Sequence, residues 1–400
     1  SDVYKRQAYA GEQMQFGPEY LIPKPFDARV LIWEASAVAQ AAVDEGMARI
    51  SAKDFDINKY REDLEARLGL TRSIMRHVIN QARKERKKIV FSEGEEPTII
   101  KAASQCLVEG ICDPILLGHP ERIEAVKEEL GLTFDCEVID VRYDPRRRGD
   151  YADELHKLRG RKGLTRRDAI NQLKSPNYFG PMMVHCGDAD GYLGGIAHNY
   201  PDIVKPCLQT IGPDPSSHRI VGLYMMTVNG QLMFIADATI NIYPDARTLA
   251  EIAIQTAKVA RRFGVTPKVA MLSFSNFGTS NELRTDRIEE AIAMARELDR
   301  GLVIDGPMQA DTALVPDRQN EFPFMEFDGP ANVLVCPNLA SANIAYKLLQ
   351  RVAGAEMTGP ILEGLSKPAH VLQRGDSVRQ VVHMAAITAV DAQRHAKQRL

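Results

Sequence analysis

Most of the signatures that mark recognisable chemistry are missing from this sequence. Its 400 residues include one tryptophan, and aromatic residues make up only 6%. Six cysteines (Cys106, Cys112, Cys136, Cys186, Cys207 and Cys336) form no C-x-x-C pair and no Cys/His cluster with zinc spacing. They sit in apolar stretches such as Val333–Cys336, which predicts buried free thiols in a reducing cytoplasm. The nine histidines form no H-E-x-x-H, so no metal site is signalled. No apolar run approaches the roughly 18 residues of a membrane-spanning helix. Neither sign of charge dominates: 50 Lys and Arg face 53 Asp and Glu, a net charge of −3. That balance gives no drive toward nucleic acid or an anionic membrane. There is no G-x-G-x-x-G after a strand, no G-x-x-x-x-G-K-[ST] and no G-x-S-x-G, so neither a dinucleotide fold, a P-loop nor a serine elbow is indicated. Ser1–Gln7 has no apolar core for a secretion signal. It also lacks an initiator Met, which predicts a truncated start.

What is present is ordinary globular material, 44% apolar and 26% charged, enough for two or three compact units. Residues 8–30 are rich in proline and glycine, as in Ile22-Pro-Lys-Pro-Phe26, and read as an extended arm or the tail of a preceding domain. Helices are predicted over 34–49 and 57–69. From Ile89 onward short apolar runs alternate with amphipathic helices. Ile89–Phe91, Pro114–Leu117, Val269–Leu272, Leu302–Asp305 and Val333–Cys336 have the continuous apolar character of strands buried on both faces. Helices are expected near 96–109, 120–130 and 246–263, the last ending at Gly264. Another carries Ile288, Ala291, Ile292, Ala295 and Leu298 at helical spacing, with Thr285 as its N-cap and Gly301 as its stop. Strands alternating with helices predict a parallel sheet covered on both sides. Asn229-Gly230 between two apolar runs predicts a β-hairpin over Ile220–Ile235.

In open α/β sheets, ligands collect beyond the carboxyl ends of the strands. Three polar loops fall there: Ser273–Asn281, Gly306–Asp311 and Pro337–Asn343. Each of their hydroxyls and amides read singly is a helix cap or turn residue. Three together on successive strand ends favour a crevice for a phosphate or carbonyl ligand. Arg374, in Leu372-Gln-Arg-Gly-Asp-Ser377, offers a bidentate donor to an oxyanion. The basic run Arg159–Arg167 has no interleaved aromatics and is a poor nucleic-acid surface.

From about residue 80 to the C-terminus the chain resembles the phosphate acetyltransferase family. The resemblance is carried, in the family's order, by Ala189-Asp-Gly191, Ile235–Asn241, Val269–Ser275, Ala331–Leu339, Asn343–Lys347 and Ala355–Ile361. It implies two three-layer α/β subdomains, also similar to isocitrate and isopropylmalate dehydrogenases, facing across a cleft that binds coenzyme A. It further implies a dimer. Residues 8–30, with Ala8–Glu12 and Phe16–Asp27, resemble the end of the catalytic region of bacterial NADP-dependent malic enzymes, whose long members carry such a domain C-terminally. The expected organisation is an unmatched segment 1–7 and a malic enzyme tail and linker 8–79. A phosphotransacetylase-like domain follows over 80–400, with one subdomain of about 80–215 plus 375–400 and the other about 216–374. The malic enzyme's own acid–base pair, its NADP site and its Mg or Mn ligands would then lie outside this chain.

In active members of the family the C-terminal loop reads Leu-Ser-Arg-Gly, followed by an Asp proposed as the base that deprotonates the thiol of coenzyme A. Leu372, Arg374 and Gly375 match, but Gln373 replaces the Ser and Gln380 the Asp. An amide takes no proton at neutral pH. Glu93-Gly-Glu-Glu-Pro-Thr98 stands where relatives carry an Arg, and Lys205 replaces another. The resemblance therefore implies an acetyl-CoA-binding regulatory module without catalytic residues, lined by Ser273, Ser275, Asn276, Gln309, Asn343 and Arg374. The alternatives are an active acyltransferase with Asp311 or Asp376 as base, and a domain that serves oligomerisation only.

Overall fold

The computed structural model describes residues 28–50, 55–68, 70–228, 230–278 and 283–397, and expectations for residues 1–27 lie outside it. The chain divides into two compact units, 1–74 and 75–400. The first contains the helices Ala28–Asp44 and Ile57–Leu68, with Val43 and Leu64 buried. The earlier helix begins and ends about six residues before the 34–49 expected from periodicity.

The second unit is built on two sheets. The first has five parallel strands in the order β11-β4-β1-β2-β3: β1 (Lys88–Phe91), β2 (Asp113–Leu117), β3 (Glu137–Ile139), β4 (Gly191–Gly194) and β11 (Ala369–Val371). The second has six strands in the order β10-β5-β6-β9-β7-β8: β5 (Val221–Val228), β6 (Gln231–Ala236), β7 (Val269–Leu272), β8 (Ile304–Met308), β9 (Val333–Val335) and β10 (Glu356–Glu363). Strands β6, β9, β7 and β8 run parallel, while β5 is antiparallel to both of its neighbours. The hairpin expected at Asn229-Gly230 is the β5–β6 pair, with Gly230 at φ +78°, a value that suits glycine.

The parallel strands are short and buried almost throughout because helices cover both faces. The helix Pro97–Val108 starts with proline at its first turn and buries Ile99, Ile100, Ala102, Ala103 and Cys106. Ala246–Arg262 is capped by the Asp245 carboxylate, which accepts from the Thr248 amide at 2.8 Å, and Gly264 follows at φ +75°. Two expectations shift. The helix expected to be capped by Thr285 begins at Leu283, which puts Thr285 inside it. The strand expected at 302–305 runs instead over 304–308, carrying the chain three residues further before the loop. Of the cysteines, Cys186 is exposed and Cys136 half-buried, the other four buried.

Where β10 and β11 join the two sheets, four polar side chains, one buried and three partly buried, bond in a row. His370 Nδ1 accepts from the Leu362 amide at 3.0 Å, so its proton sits on Nε2, which faces Asp391 Oδ2 at 3.1 Å. Asp391 also accepts from Arg262 at 2.6 Å, and Arg262 pairs with Glu363. Burial alone would raise the Asp391 carboxyl, but the Arg262 guanidinium and His370 outweigh it and hold it at about 2.

Candidate functional site

The carboxyl ends of β1, β4 and β11 open beside β10 and β5 of the other sheet, and the loops that leave them interlock. Leu372 N donates to Gly194 O at 2.7 Å. Gly195, at φ +122°, packs so tightly that a Cβ there would lie 2.5 Å from Leu372 O. Glu93, buried at the end of β1, accepts from Ser92 Oγ at 2.8 Å and from Gly195 N at 2.8 and 3.0 Å, and more weakly from Ala197 N at 3.4 Å. Burial pushes the Glu93 carboxyl up, against the pull of these hydrogen bonds and of His198. Ala197 O in turn accepts from Arg374 Nη2 at 3.2 Å, the one hydrogen bond of an otherwise exposed guanidinium among the described residues.

The two glutamines are tied into the scaffold. Gln373 Nε2 donates to Gly359 O of β10 at 3.2 Å. Gln380 completes a capping box for the helix Val378–Lys397: its Oε1 accepts from Ser377 N at 2.9 Å and from Ser377 Oγ at 2.8 Å. Its Nε2 reaches Met357 O of β10 at 3.4 Å. Asp376 closes the loop by accepting from Gln373 N at 2.7 Å, and burial pushes its carboxyl up to about 6. Its charge adds to burial in raising the Tyr224 hydroxyl. Tyr224 stacks on Tyr346 of the helix Leu339–Val352, centroids 4.3 Å apart, and Tyr200 OH donates to Thr239 Oγ1 at 2.7 Å. These tyrosines were not singled out from the sequence, because a buried aromatic in a strand or helix has the same pattern as core.

Ser273, Ser275, Asn276 and Gln309 do come together, at the carboxyl ends of β7 and β8. Asn276 Oδ1 accepts from Gln309 N at 2.7 Å, its Nδ2 donates to Gln309 Oε1 at 3.2 Å, and Gln309 Nε2 donates to Phe274 O at 2.7 Å. These amides satisfy one another and brace two loops. Ser275 Oγ is buried without a partner. Ser273, Ser275, Asn276 and Gln309 thus gather at the ends of β7 and β8 of the second sheet, while Arg374 sits on the loop that follows β11 of the first. Thr358, Met225, Phe234, Val333 and Val269 share one level across the sheet, so Met357 lies a residue before it and Ser273 four beyond. Three strands, β5, β6 and β9, separate β7 from β10, the strand that Gln373 and Gln380 touch. Periodicity located strand ends but not the edge of the second sheet that faces the first. Asn343 lies in the helix Leu339–Val352, one turn ahead of Tyr346. Asp311 is exposed beside β8, near Arg318 at 3.8 Å.

Among the described residues no group of three or more His, Cys, Asp and Glu side chains is arranged to hold a metal, and no helix is long and apolar enough to cross a membrane. Most of the Arg374 donors are unused among the described residues, and Lys347 and Arg351 on the Leu339–Val352 helix are exposed and make no ion pair there, while Tyr224 and Tyr346 are buried in the core.

The chain is 38% identical over 394 residues to the NADP-dependent malic enzymes of Salmonella typhimurium and Escherichia coli, matching 96% of this chain and 51% of theirs. It thus spans about half the length of these relatives. It is also 38% identical to the phosphate acetyltransferase of Corynebacterium glutamicum over 79% of this chain and 96% of that enzyme. Among solved structures, a phosphotransacetylase from Streptococcus pyogenes superposes with a TM-score of 0.77 at 36% identity, over 81% of this chain and 99% of that one. The family described as phosphate acetyl/butaryl transferase matches residues 73–389. An α/β unit of two sheets, shared in sequence and in backbone with such enzymes, makes this chain a member of the phosphate acetyl/butaryl transferase family.

Proposed function

We propose that residues 75–400 form an acetyl-CoA-binding regulatory domain of a cytoplasmic NADP-dependent malic enzyme, without acetyl transfer of its own. The observation that carries this reading is the position of Gln380. Where the active family has a carboxylate, this chain has an amide whose oxygen is fully used in capping a helix. Transfer of an acetyl group from coenzyme A to phosphate needs a base for the thiol and donors for the carbonyl oxyanion. Arg374 supplies a donor, and Gln373 and Gln380 supply no base. Binding is kept while the reacting group is lost. In the parent enzyme malate oxidation, with NADP and Mg or Mn, would belong to a region outside this chain, with this domain as its partner. The exposed stripe Ile344, Leu348 and Val352 on one helix face supplies an apolar surface for the family's dimer.

A second reading is favoured by one observation. Asp376, three residues from Gln373 and with its carboxyl pushed up to about 6, has the basicity of a general base near neutral pH. It supports an active acyltransferase. Calorimetry with acetyl-CoA, followed by a phosphate-dependent assay of acetyl transfer, separates the two. Binding without turnover supports regulation, turnover supports transfer, and neither would leave oligomerisation alone.

A further inference from the structure

We infer that Glu93 is a positioning residue of this cleft, acting on the ligand only through Arg374. The inference rests on the acetyl-CoA reading and adds to it a residue of a loop that the sequence marked only for lacking a family Arg. The geometry is a relay. The Glu93 carboxylate accepts from the backbone of Gly195 and Ala197, and the carbonyl of Ala197 holds one end of the Arg374 guanidinium. Each link has a reason to be rigid. Glu93 and its neighbour Ser92 are both buried, and Ser92 Oγ donates to the second carboxylate oxygen. Gly94, next in the chain, has no room for a Cβ, which would lie 2.8 Å from both Leu116 Cβ and Leu117 O. Gly195 holds a backbone conformation that side chains rarely adopt and aims its amide at Glu93. A carboxylate accepting backbone N–H groups forms charge-assisted bonds stronger than neutral ones, so it fixes the loop more firmly than an amide would. Arg374 has no other hydrogen bond within the described residues, and its long side chain would otherwise sample several rotamers. Glu93 faces away from solvent and is not needed to touch a ligand.

Three variants test this by calorimetry with acetyl-CoA on the intact chain: Glu93→Gln, Arg374→Ala and the two combined. Glu93→Gln keeps the shape and one acceptor oxygen, so the fold is expected to persist. Arg374→Ala is expected to weaken binding about 10–100-fold, as for loss of a charged hydrogen bond, and Glu93→Gln about 3–10-fold. In the double variant the Glu93 effect disappears, because nothing remains for it to position. Equal losses from Glu93→Gln with and without Arg374, or no loss at all, overturn the relay. A second readout does not depend on the ligand. NMR of the Arg374 side-chain N–H signals and of amide exchange at Gly195 and Ala197 is expected to show both changed in Glu93→Gln. If the native chain binds no acetyl-CoA, the functional reading fails, and unchanged Arg374 signals would then overturn the relay by themselves.

Discussion

Restoring the family's residues at two positions is the sharpest perturbation of this site. In a Gln373→Ser, Gln380→Asp double variant the side chain lost at 373 breaks the 3.2 Å bond to Gly359 O, and that at 380 breaks the 3.4 Å bond to Met357 O. Each is a half-buried neutral bond worth about 0.5–1.5 kcal/mol. The capping box should survive, because an Asp at the third helical position serves the same purpose in the helix Arg166–Gln172, where Asp168 pairs with Thr165. A carboxylate in the first turn also regains about 0.3–1 kcal/mol from the helix dipole. The net cost is then about 1–2 kcal/mol, small against the 5–15 kcal/mol of a typical domain. The variant therefore stays folded and gains a carboxylate in the position from which the family is proposed to take the thiol proton. General-base assistance is worth about 10²–10⁴-fold, so acetyl phosphate formation should rise from background by that factor. The assay is steady-state acetyl phosphate production from acetyl-CoA and phosphate, beside urea unfolding to confirm the fold. Turnover by the native chain at the level of the variant would refute the reasoning. The responsible group would then be identified by pH. A base titrating at about 6, as Asp376 does, makes the rate climb through pH 6 to a plateau, and Asp376→Asn abolishes it.

Three other outcomes are expected. Asp391→Asn removes the carboxylate shared by Arg262 and His370 and should cost about 1.5–3 kcal/mol in urea unfolding at pH 7, the loss of a charged hydrogen bond, since Glu363 still pairs with Arg262. The Asp391 carboxyl is held at about 2 in the folded chain against 3.8 ordinarily, so its stabilisation is complete above pH 3.8 and lost as pH falls toward 2; the variant should lack that part of the acid-unfolding slope. Gly195→Ala should destabilise by more than 1 kcal/mol and weaken acetyl-CoA binding, because its φ of +122° and the 2.5 Å approach to Leu372 O both oppose a methyl group; unchanged melting and affinity would contradict the interlocked loops. Asn276→Ala and Gln309→Ala should lower thermal stability while leaving acetyl-CoA affinity within twofold, and a large loss of affinity would show that the β7–β8 loops reach the ligand after all.

The alternation of short apolar runs with amphipathic helices determined the class of this fold. Strands such as Val269–Leu272 and Val333–Val335 are buried on both faces, and burial on both faces leaves a continuous apolar run in the sequence. The order of motifs from Ala189 to Ile361 determined the family. The replacement of a carboxylate by Gln380 was also legible, because it concerns the kind of atom present and not its location. Tertiary structure alone decided which polar loops meet. Ser273 and Arg374 both follow strands, but the strands belong to different sheets, and strand order and register are set by contacts between residues far apart in the chain. The same holds for Glu93, whose role depends on amides about a hundred positions away. It holds too for Asp376, whose basicity comes from burial by neighbours that its own segment does not specify.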